Sequence, residues 1–434
     1  MINLRYTFVD LVIGAYVLLP LFFKIGPVSV YLILIIGAFV LYCFGSCQGK
    51  VWVRSKASWA IRGVLLYVSM LYHGEINAML VYAAAPGLLC VLLCMYVNSR
   101  EVIDRLMDVL IYTSVINFLI CIIELFTGTN LSYMLNSEGA AVYIRLERLG
   151  ILRVYGAFLN PINNGIFCIF IQIACLYRIG CLSSRRSKWR IWWIYVCNWV
   201  VLFLSFSRAS ILVALVVNGF LLFKMRFLRV DIRLFISVMV LLAALILLAA
   251  VPNSLADKLT ETILSFLKII DDLLGTNMVA NIAGTAAVQG VGDRINLYQW
   301  VPAAMDNLWF GEGRAMKFSY VVNEFGHTKE SIENQYLNEL YTHGIVSLAG
   351  KIIMFVSTLF YALKWAVREW RMKQAGFNTC MLTAYTAYFI MLFTVAQNEE
   401  KKVFYIFLVL HMLYNDFHWK NSLAGRKEGC HETT

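Results

Sequence analysis

Several stretches of this chain run for thirteen or more residues without one charged side chain. Val30 to Tyr42, Val109 to Ile123, Trp192 to Phe206 and Phe235 to Val251 are four of them. With their flanks they approach the ~20 residues needed to cross ~30 Å of hydrocarbon. A helix on a water-soluble core would break such a run with a polar face, and these runs have none. Charged residues make up only 15% of the 434, against about 25% in an ordinary soluble domain. The chain reads as an all-α, polytopic integral membrane protein.

Twelve spans fit the pattern, at roughly 7–23, 27–45, 58–75, 77–97, 103–126, 160–179, 191–207, 209–226, 234–251, 343–363, 378–396 and 403–416. The first is read as a retained helix, because no small-residue cleavage site follows it. Most of the 37 basic residues fall in one alternate set of short connections and the termini. That set includes Lys50, Arg54 and Lys56, then Arg185, Arg186 and Lys188, then Arg226, Arg229 and Arg233, then Arg368, Arg371 and Lys373. Short basic loops stay in the cytoplasm, so both termini are expected inside. An even number of spans then follows, and the long hydrophilic segments 127–160 and 252–342 fall on the outer face. The layout is a membrane domain over 1–251, one large outer loop over 252–342, a second membrane segment over 343–416 and a cytoplasmic tail over 417–434.

The net charge of +11 is accounted for by this orientation, and no nucleic-acid partner is implied. Eleven cysteines are numerous enough to raise the question of a disulfide framework. However, Cys43, Cys90, Cys94, Cys121, Cys168, Cys175 and Cys197 lie in or beside apolar runs, and the two long outer segments contain none. They read as small buried hydrophobes.

Within the large loop, Ser254 to Leu274 has a capping-box start and apolar residues at helical spacing. It would lie in the membrane interface or pack on a small core of the loop itself. Gly275 to Gly292 reads as a flexible stretch. A helix is expected from Asp293 to about Asn307, stopped at Trp309-Phe-Gly-Glu-Gly313. A polar helix over Ser331 to Tyr341 should lead into the tenth span.

Arginines stand on the outer side where loop-charge statistics disfavour them: Arg145, Arg148 and Arg153 before the sixth span, Arg208 between the seventh and eighth, and Arg294 and Arg314 in the large loop. An arginine at membrane depth costs about 2–3 kcal/mol on insertion scales. Arg208, with almost no loop around it, must either snorkel to lipid phosphate or meet a partner. Several arginines converging on one anion would suit a phosphate or diphosphate, which the planar guanidinium binds through two parallel hydrogen bonds. Arg145 and Arg148 can equally be solvated loop charges. The outer loops hold no Gly-rich phosphate loop, no His-Glu-x-x-His helix and no Asp-x-Asp pair, so neither a nucleotide nor a metal cofactor is implied.

The order of these residues resembles the O-antigen polymerase and ligase superfamily. Arg153-Val-Tyr-Gly156-Ala-Phe158-Leu-Asn160-Pro161 is similar to its Arg–Gly–Phe–Asn–Pro stretch before a span, and Phe206-Ser-Arg208-Ala-Ser210 to its Ser-Arg junction. Asp293-Arg294 to Trp300, with Gly311-Glu-Gly313, resembles part of its large periplasmic loop. Glu333-Asn334-Gln-Tyr336-Leu337 with Gly344-Ile345 resembles the end of that loop. The ligase branch carries a histidine before the asparagine and a Gly-x-x-Gly after it. Here Glu333 and Ser347 stand in the places of the histidine and the second glycine, which favours the polymerase branch.

The resemblance implies a GT-C-like membrane glycosyltransferase of the bacterial inner membrane, working on its periplasmic side without metal. It would join oligosaccharide repeat units carried on undecaprenyl diphosphate. In this reading Arg153, Arg208, Arg294 and Arg314 face the diphosphate, Arg208 and Glu333 are catalytic with Glu333 the base, and Asn160, Asn334 and Tyr336 meet the sugar. Membrane lipids and a chain-length regulator are the further partners implied. An O-antigen ligase fits the same architecture. A lipid-linked oligosaccharide flippase is the non-enzyme alternative, although it would more often show two similar halves with short loops, and no internal repeat is visible.

Overall fold

The computed structural model describes residues 4–19, 23–25, 28–46, 85–134, 147–148, 151–158, 160–224, 292–313, 320–321, 328–329, 332, 334–371, 376–394 and 401–429. Among these are twelve helices: α1 (Leu4–Leu18), α2 (Val30–Ser46), α3 (Ala85–Tyr96), α4 (Arg100–Thr127), α5 (Leu131–Met134), α6 (Pro161–Cys181), α7 (Arg185–Leu204), α8 (Arg208–Lys224), α9 (Gly292–Ala303), α10 (Gln335–Arg371), α11 (Phe377–Met391) and α12 (Lys401–Gly429). The only extended structure among the described residues is three antiparallel pairings of two-residue strands, Lys24–Ile25 with Val28–Ser29, Glu147–Arg148 with Ile151–Leu152, and Tyr320–Val321 with Thr328–Lys329. The protein is an all-α integral membrane protein. Every helix except α5 and α9 overlaps an expected span, though α10 begins eight residues before its expected start and α12 continues helical to Gly429, past the expected end at 416. The expected spans at 58–75 and 234–251, and the 254–274 helix, lie outside the described residues.

Three of these helices, α4, α6 and α10, are long and apolar enough to cross a membrane by themselves, and α1, α2, α3 and α8 contain shorter apolar helical stretches. They differ in what surrounds them. In α6, 89% of the most apolar window is buried inside the protein, against 28% in α10. So α6 is the central post of the bundle, in contact with α4, α7, α8 and α11, while α10 keeps a broad apolar face outward.

The central helix is not purely apolar. Asn164 accepts from the Asn117 amide of α4 at 2.8 Å, and the Gln172 side-chain carbonyl accepts from Asn218 of α8 at 2.8 Å. Asn218 in turn accepts from Tyr195 of α7 at 3.1 Å. Where water is absent, such side chains must satisfy one another, and the bonds fix which helices are neighbours. Close approach does the rest. A Cβ on Gly165 of α6 would lie 2.5 Å from Ser210 Oγ of α8, so the crossing requires glycine there.

The helix ends sort into two sets. At one end Arg178 bridges Asp104 at 3.1 Å and Asp108 at 2.7 Å. Arg100 lies over the Tyr414 ring, Lys224 lies over Trp370, and Glu369 caps the start of α11 by accepting from the backbone of Gly376, Asn378 and Thr379. At the other end Val154 N donates to Leu204 O at 3.2 Å, Gln335 N donates to Leu392 O at 2.8 Å, and Lys402 donates to Leu19 O at 2.7 Å. These groupings are the ones that alternating spans require. The basic connections meet at one end, and the segments carrying the singled-out arginines meet at the other.

The α6–α8 crossing yields a direct test. Gly165→Ala should lower the thermal unfolding temperature in detergent by several degrees, a cost of about 1–3 kcal/mol for overpacking. Gly219→Ala on α8, where an added Cβ meets nothing within 4 Å, should leave it unchanged.

Candidate functional site

Glu124 sits fully buried in the last turns of α4. One of its oxygens, Oε2, accepts from Tyr155 N and Gly156 N at 2.9 Å each and from the Asn130 amide at 2.8 Å. Asn130 also donates to Gly156 O at 2.7 Å, and Asn117 accepts from Ala157 N at 2.9 Å. Three side chains thus take up the backbone polar groups of a segment that has no secondary structure to satisfy them. Gly156 has φ +60, a left-handed conformation open to glycine, and a Cβ there would collide with Asn117 and Cys121. This is the physical content of the Tyr-Gly-Ala-Phe motif: a tight loop pressed onto a buried carboxylate. Burial also pushes the Tyr155 phenol up to about 12, with the Arg153 guanidinium opposing and Glu124 adding to the rise, so the ring is neutral at physiological pH.

The same loop brings two of the singled-out positions together. Arg153 Nε donates to Ser205 O at 3.1 Å, next to the bond from Val154 N to Leu204 O. Ser205 lies three residues before Arg208. The chain turns there through Phe206, at φ 47, a strained value for a residue other than glycine. Ser207 and Ser210 share a 2.7 Å hydrogen bond across the start of α8. Arg208 opens α8; its side chain, like those of Arg294 and Arg148, lies outside the described residues, as do Arg145, Arg314 and Glu333 altogether. Asn160 caps α6, accepting from Asn163 N at 2.9 Å, with Pro161 at the first helical position. That is the favoured start of a helix.

The end of the large loop is built around a broken helix. Asn334 caps α10 by accepting from Tyr336 N at 2.9 Å and Leu337 N at 3.2 Å, and its amide donates to the Tyr298 hydroxyl of α9 at 2.9 Å. Tyr336 donates to Phe389 O at 3.1 Å. Nine residues into α10 the helix breaks at Gly344, with φ 77 and ψ −177. The turn 308–313 docks into the break. Ile345 N donates to Leu308 O at 2.9 Å, Glu312 N to Tyr341 O at 2.7 Å and Gly313 N to Thr342 O at 3.1 Å. A Cβ on Gly311 would lie 2.5 Å from His343 N, and one on Gly344 would overlap the Trp309 carbonyl. Both glycines are required by one backbone-to-backbone approach. The expected polar helix therefore does not run straight into the tenth span. The helix expected to reach Asn307 ends at Ala303, because Glu312 Oε1 accepts from Asp306 N and Asn307 N and Asn307 Oδ1 accepts from Phe310 N, closing a turn instead.

The bend is held from inside by an ion pair. Lys351 Nζ and Glu339 Oε2 are 2.8 Å apart, their side chains 3% and 2% exposed. Twelve residues of straight helix would separate them by ~18 Å, so the contact exists because the helix turns back at Gly344. Glu339 also accepts from Ser347 Oγ at 2.8 Å and lies 3.3 Å from His343 Nδ1. Thr342 Oγ1 spends its proton on Asn338 O at 2.7 Å, so it accepts from His343 Nδ1 at 2.8 Å. The hydrogen-bond network therefore makes His343 Nδ1 the donor in this contact.

The two assemblies share one end of the bundle, joined by an aromatic seam. Tyr336 meets Phe355, Phe355 meets Tyr388, and Tyr388 meets Phe170 of α6, with centroids 6.2, 6.4 and 5.9 Å apart. Sequence reasoning passed over Glu124, Glu339 and Lys351. For Glu124 and Lys351 the signal available was a lone charge inside an apolar run, which is rare enough to point to a specific partner; Glu339, in a polar stretch, carried no such signal.

Comparison with known proteins agrees with this picture. Residues 193–352 match the family model described as O-antigen ligase. The range runs from α7 through the Ser-Arg junction and the 292–313 segment to just past the Gly344 break. No curated protein matches the chain. The match supports placing the chain in a class of integral membrane enzymes that transfer glycans from lipid-linked oligosaccharides. More particularly, it supports the O-antigen polymerase and ligase superfamily, without separating its two branches. The Arg153–Asn160 loop precedes the matched range but is hydrogen-bonded to Leu204 and Ser205 within it.

The buried ion pair can be tested by a double-mutant cycle. Glu339→Leu alone leaves Lys351 buried and uncompensated, and should cost about 3–5 kcal/mol. Glu339→Leu with Lys351→Met should recover most of that loss in thermal unfolding. Equal losses in the single and double variants would show that the charges do not stabilise each other.

Proposed function

We propose that the chain is an O-antigen polymerase that joins undecaprenyl-diphosphate-linked repeat units at the periplasmic face of the bacterial inner membrane, with both termini cytoplasmic. The observation that carries the reading is the Arg153–Ser205 bond, which packs the Arg153 loop onto the backbone just before Arg208. Two outward arginine segments far apart in sequence thereby become one wall. The family match supports the superfamily, and Glu333 in place of the ligase histidine favours the polymerase branch.

In this reaction the acceptor is a lipid-linked repeat unit, and the donor is the growing glycan on undecaprenyl diphosphate. A sugar hydroxyl of the acceptor attacks the donor's anomeric carbon. The new glycosidic C–O bond forms as the bond to the diphosphate oxygen breaks, and the hydroxyl proton passes to a base. Because the leaving group is already activated, the protein's work is positioning and charge stabilisation. Arg153 and Arg208, with Arg294 and Arg314, neutralise the departing diphosphate. Glu333 takes the proton. Asn160, Asn334 and Tyr336 shape the sugar's surroundings through the loops they hold. A chain-length regulator would set when extension stops.

The ligase reading is kept because the matching family model is described as O-antigen ligase. Gene deletion separates the two. Loss of a polymerase leaves lipid A core carrying one repeat unit, whereas loss of a ligase leaves core carrying none. Complementation with Arg208→Ala or Arg208→Lys should leave mostly single repeats on the lipopolysaccharide ladder. A ladder of normal length from either variant would remove Arg208 from the diphosphate site.

A further inference from the structure

The turn that docks into the Gly344 break carries three apolar side chains facing away from the protein. Leu308, Trp309 and Phe310 are 43%, 65% and 58% exposed. In a loop surrounded by water this would be a costly cluster. Its position explains it. Ile345 N and Val346 N donate to Leu308 O and Trp309 O, and these two residues begin the outward stripe of α10. Ile345, Val346, Ile353, Val356 and Phe360 are all at least 38% exposed and recur at helical spacing on one face. The part of α10 beyond Gly344 is ~40 Å long at 1.5 Å per residue, enough to cross the hydrocarbon alone. Its outward stripe is the surface that meets lipid.

We infer that Leu308-Trp309-Phe310 is a membrane anchor: a short aromatic collar, pinned by backbone hydrogen bonds to the outermost turn of the tenth span, that inserts into the interfacial region of the outer leaflet. The occupant of this surface is phospholipid. The collar continues the lipid-facing stripe of α10 upward by one turn, and it ends in a tryptophan and a phenylalanine. Tryptophan is enriched where hydrocarbon meets headgroups. The side chains of Asn307 and Glu312 close the turn by accepting from its own backbone at Asp306, Asn307 and Phe310, and the apolar tips are what remain on its outer side. The anchor fixes the 292–313 segment at the membrane surface, and the chain leaves it at Gly313, immediately before Arg314. The inference does not depend on which glycosyl transfer the chain performs.

The test uses the full-length protein in native membranes, with the photocrosslinker benzoylphenylalanine placed at Phe310 and separately at Leu308, so that one misfolded variant does not decide the matter. Ile353 on the stripe serves as the lipid-facing reference, and exposed Ala304 on the same segment as the reference outside the collar. After irradiation, mass spectrometry of the purified protein should find phospholipid adducts at 310 or 308 and at 353, and none at 304. Adducts at 353 with none at 308 or 310 would overturn the anchor. So would adducts at 308 and 310 that join only polypeptide, whether a second copy of the chain or another protein.

Discussion

One end of this molecule depends on a backbone exchange between two stretches that sequence places about thirty residues apart. A helix that continued through Gly344 would satisfy its own amide and carbonyl groups and leave the preceding loop unattached. Because it breaks there, Tyr341 and Thr342 offer carbonyls, and Ile345 and Val346 offer amides, to the turn 308–313. The buried Glu339–Lys351 pair and the two glycines, each packed against the backbone of the other segment, make that arrangement specific. The loop is thereby fastened to the membrane domain by main-chain hydrogen bonds, the same means that holds secondary structure together.

A second fastening of the same kind serves the other side of the proposed site. A single carboxylate oxygen of Glu124 receives two backbone amides and one side-chain amide of the segments before α6. Arg153 and Val154 then attach that loop to the carbonyls that end α7. Glu124 takes up irregular backbone at the end of a membrane helix, where lipid could not satisfy it, while Glu339 holds the Gly344 bend through the side chains of Ser347 and Lys351. The aromatic seam from Tyr336 to Phe170 lets the two assemblies sit on one rigid support. Rigid support matters for a transfer in which the protein positions two lipid-linked partners and stabilises a leaving anion.

Much of the fold was legible because its causes are local. Uncharged runs gave the helices, and the alternation of basic loops gave which helix ends belong together. Arg178 meeting Asp104 and Asp108, and Lys224 meeting Trp370, are contacts that the alternation required. The site was less legible because its causes are long-range. Gly344 looks like any glycine inside a helical pattern, and only the approach of the Trp309–Phe310 backbone gives it a reason. Glu339 and Lys351 are twelve residues apart, a spacing that pairs nothing on a straight helix. Glu124 hides in a run of Cys, Ile and Leu, and the partners that explain it come from a loop about thirty residues later. The arginines at 153 and 208 were visible as departures from the loop-charge rule, but the packing of the Arg153 loop onto the backbone before Arg208 needed the fold.

The most direct measurement of the central claim is extension by the purified protein in lipid nanodiscs, supplied with undecaprenyl-diphosphate-linked repeat units and no lipid A core. The account expects a ladder of lipid-linked glycans several repeats long, lost in Arg208→Lys. Absence of any extension by the wild type until lipid A core is added, followed by transfer of one intact glycan to that core, would contradict it.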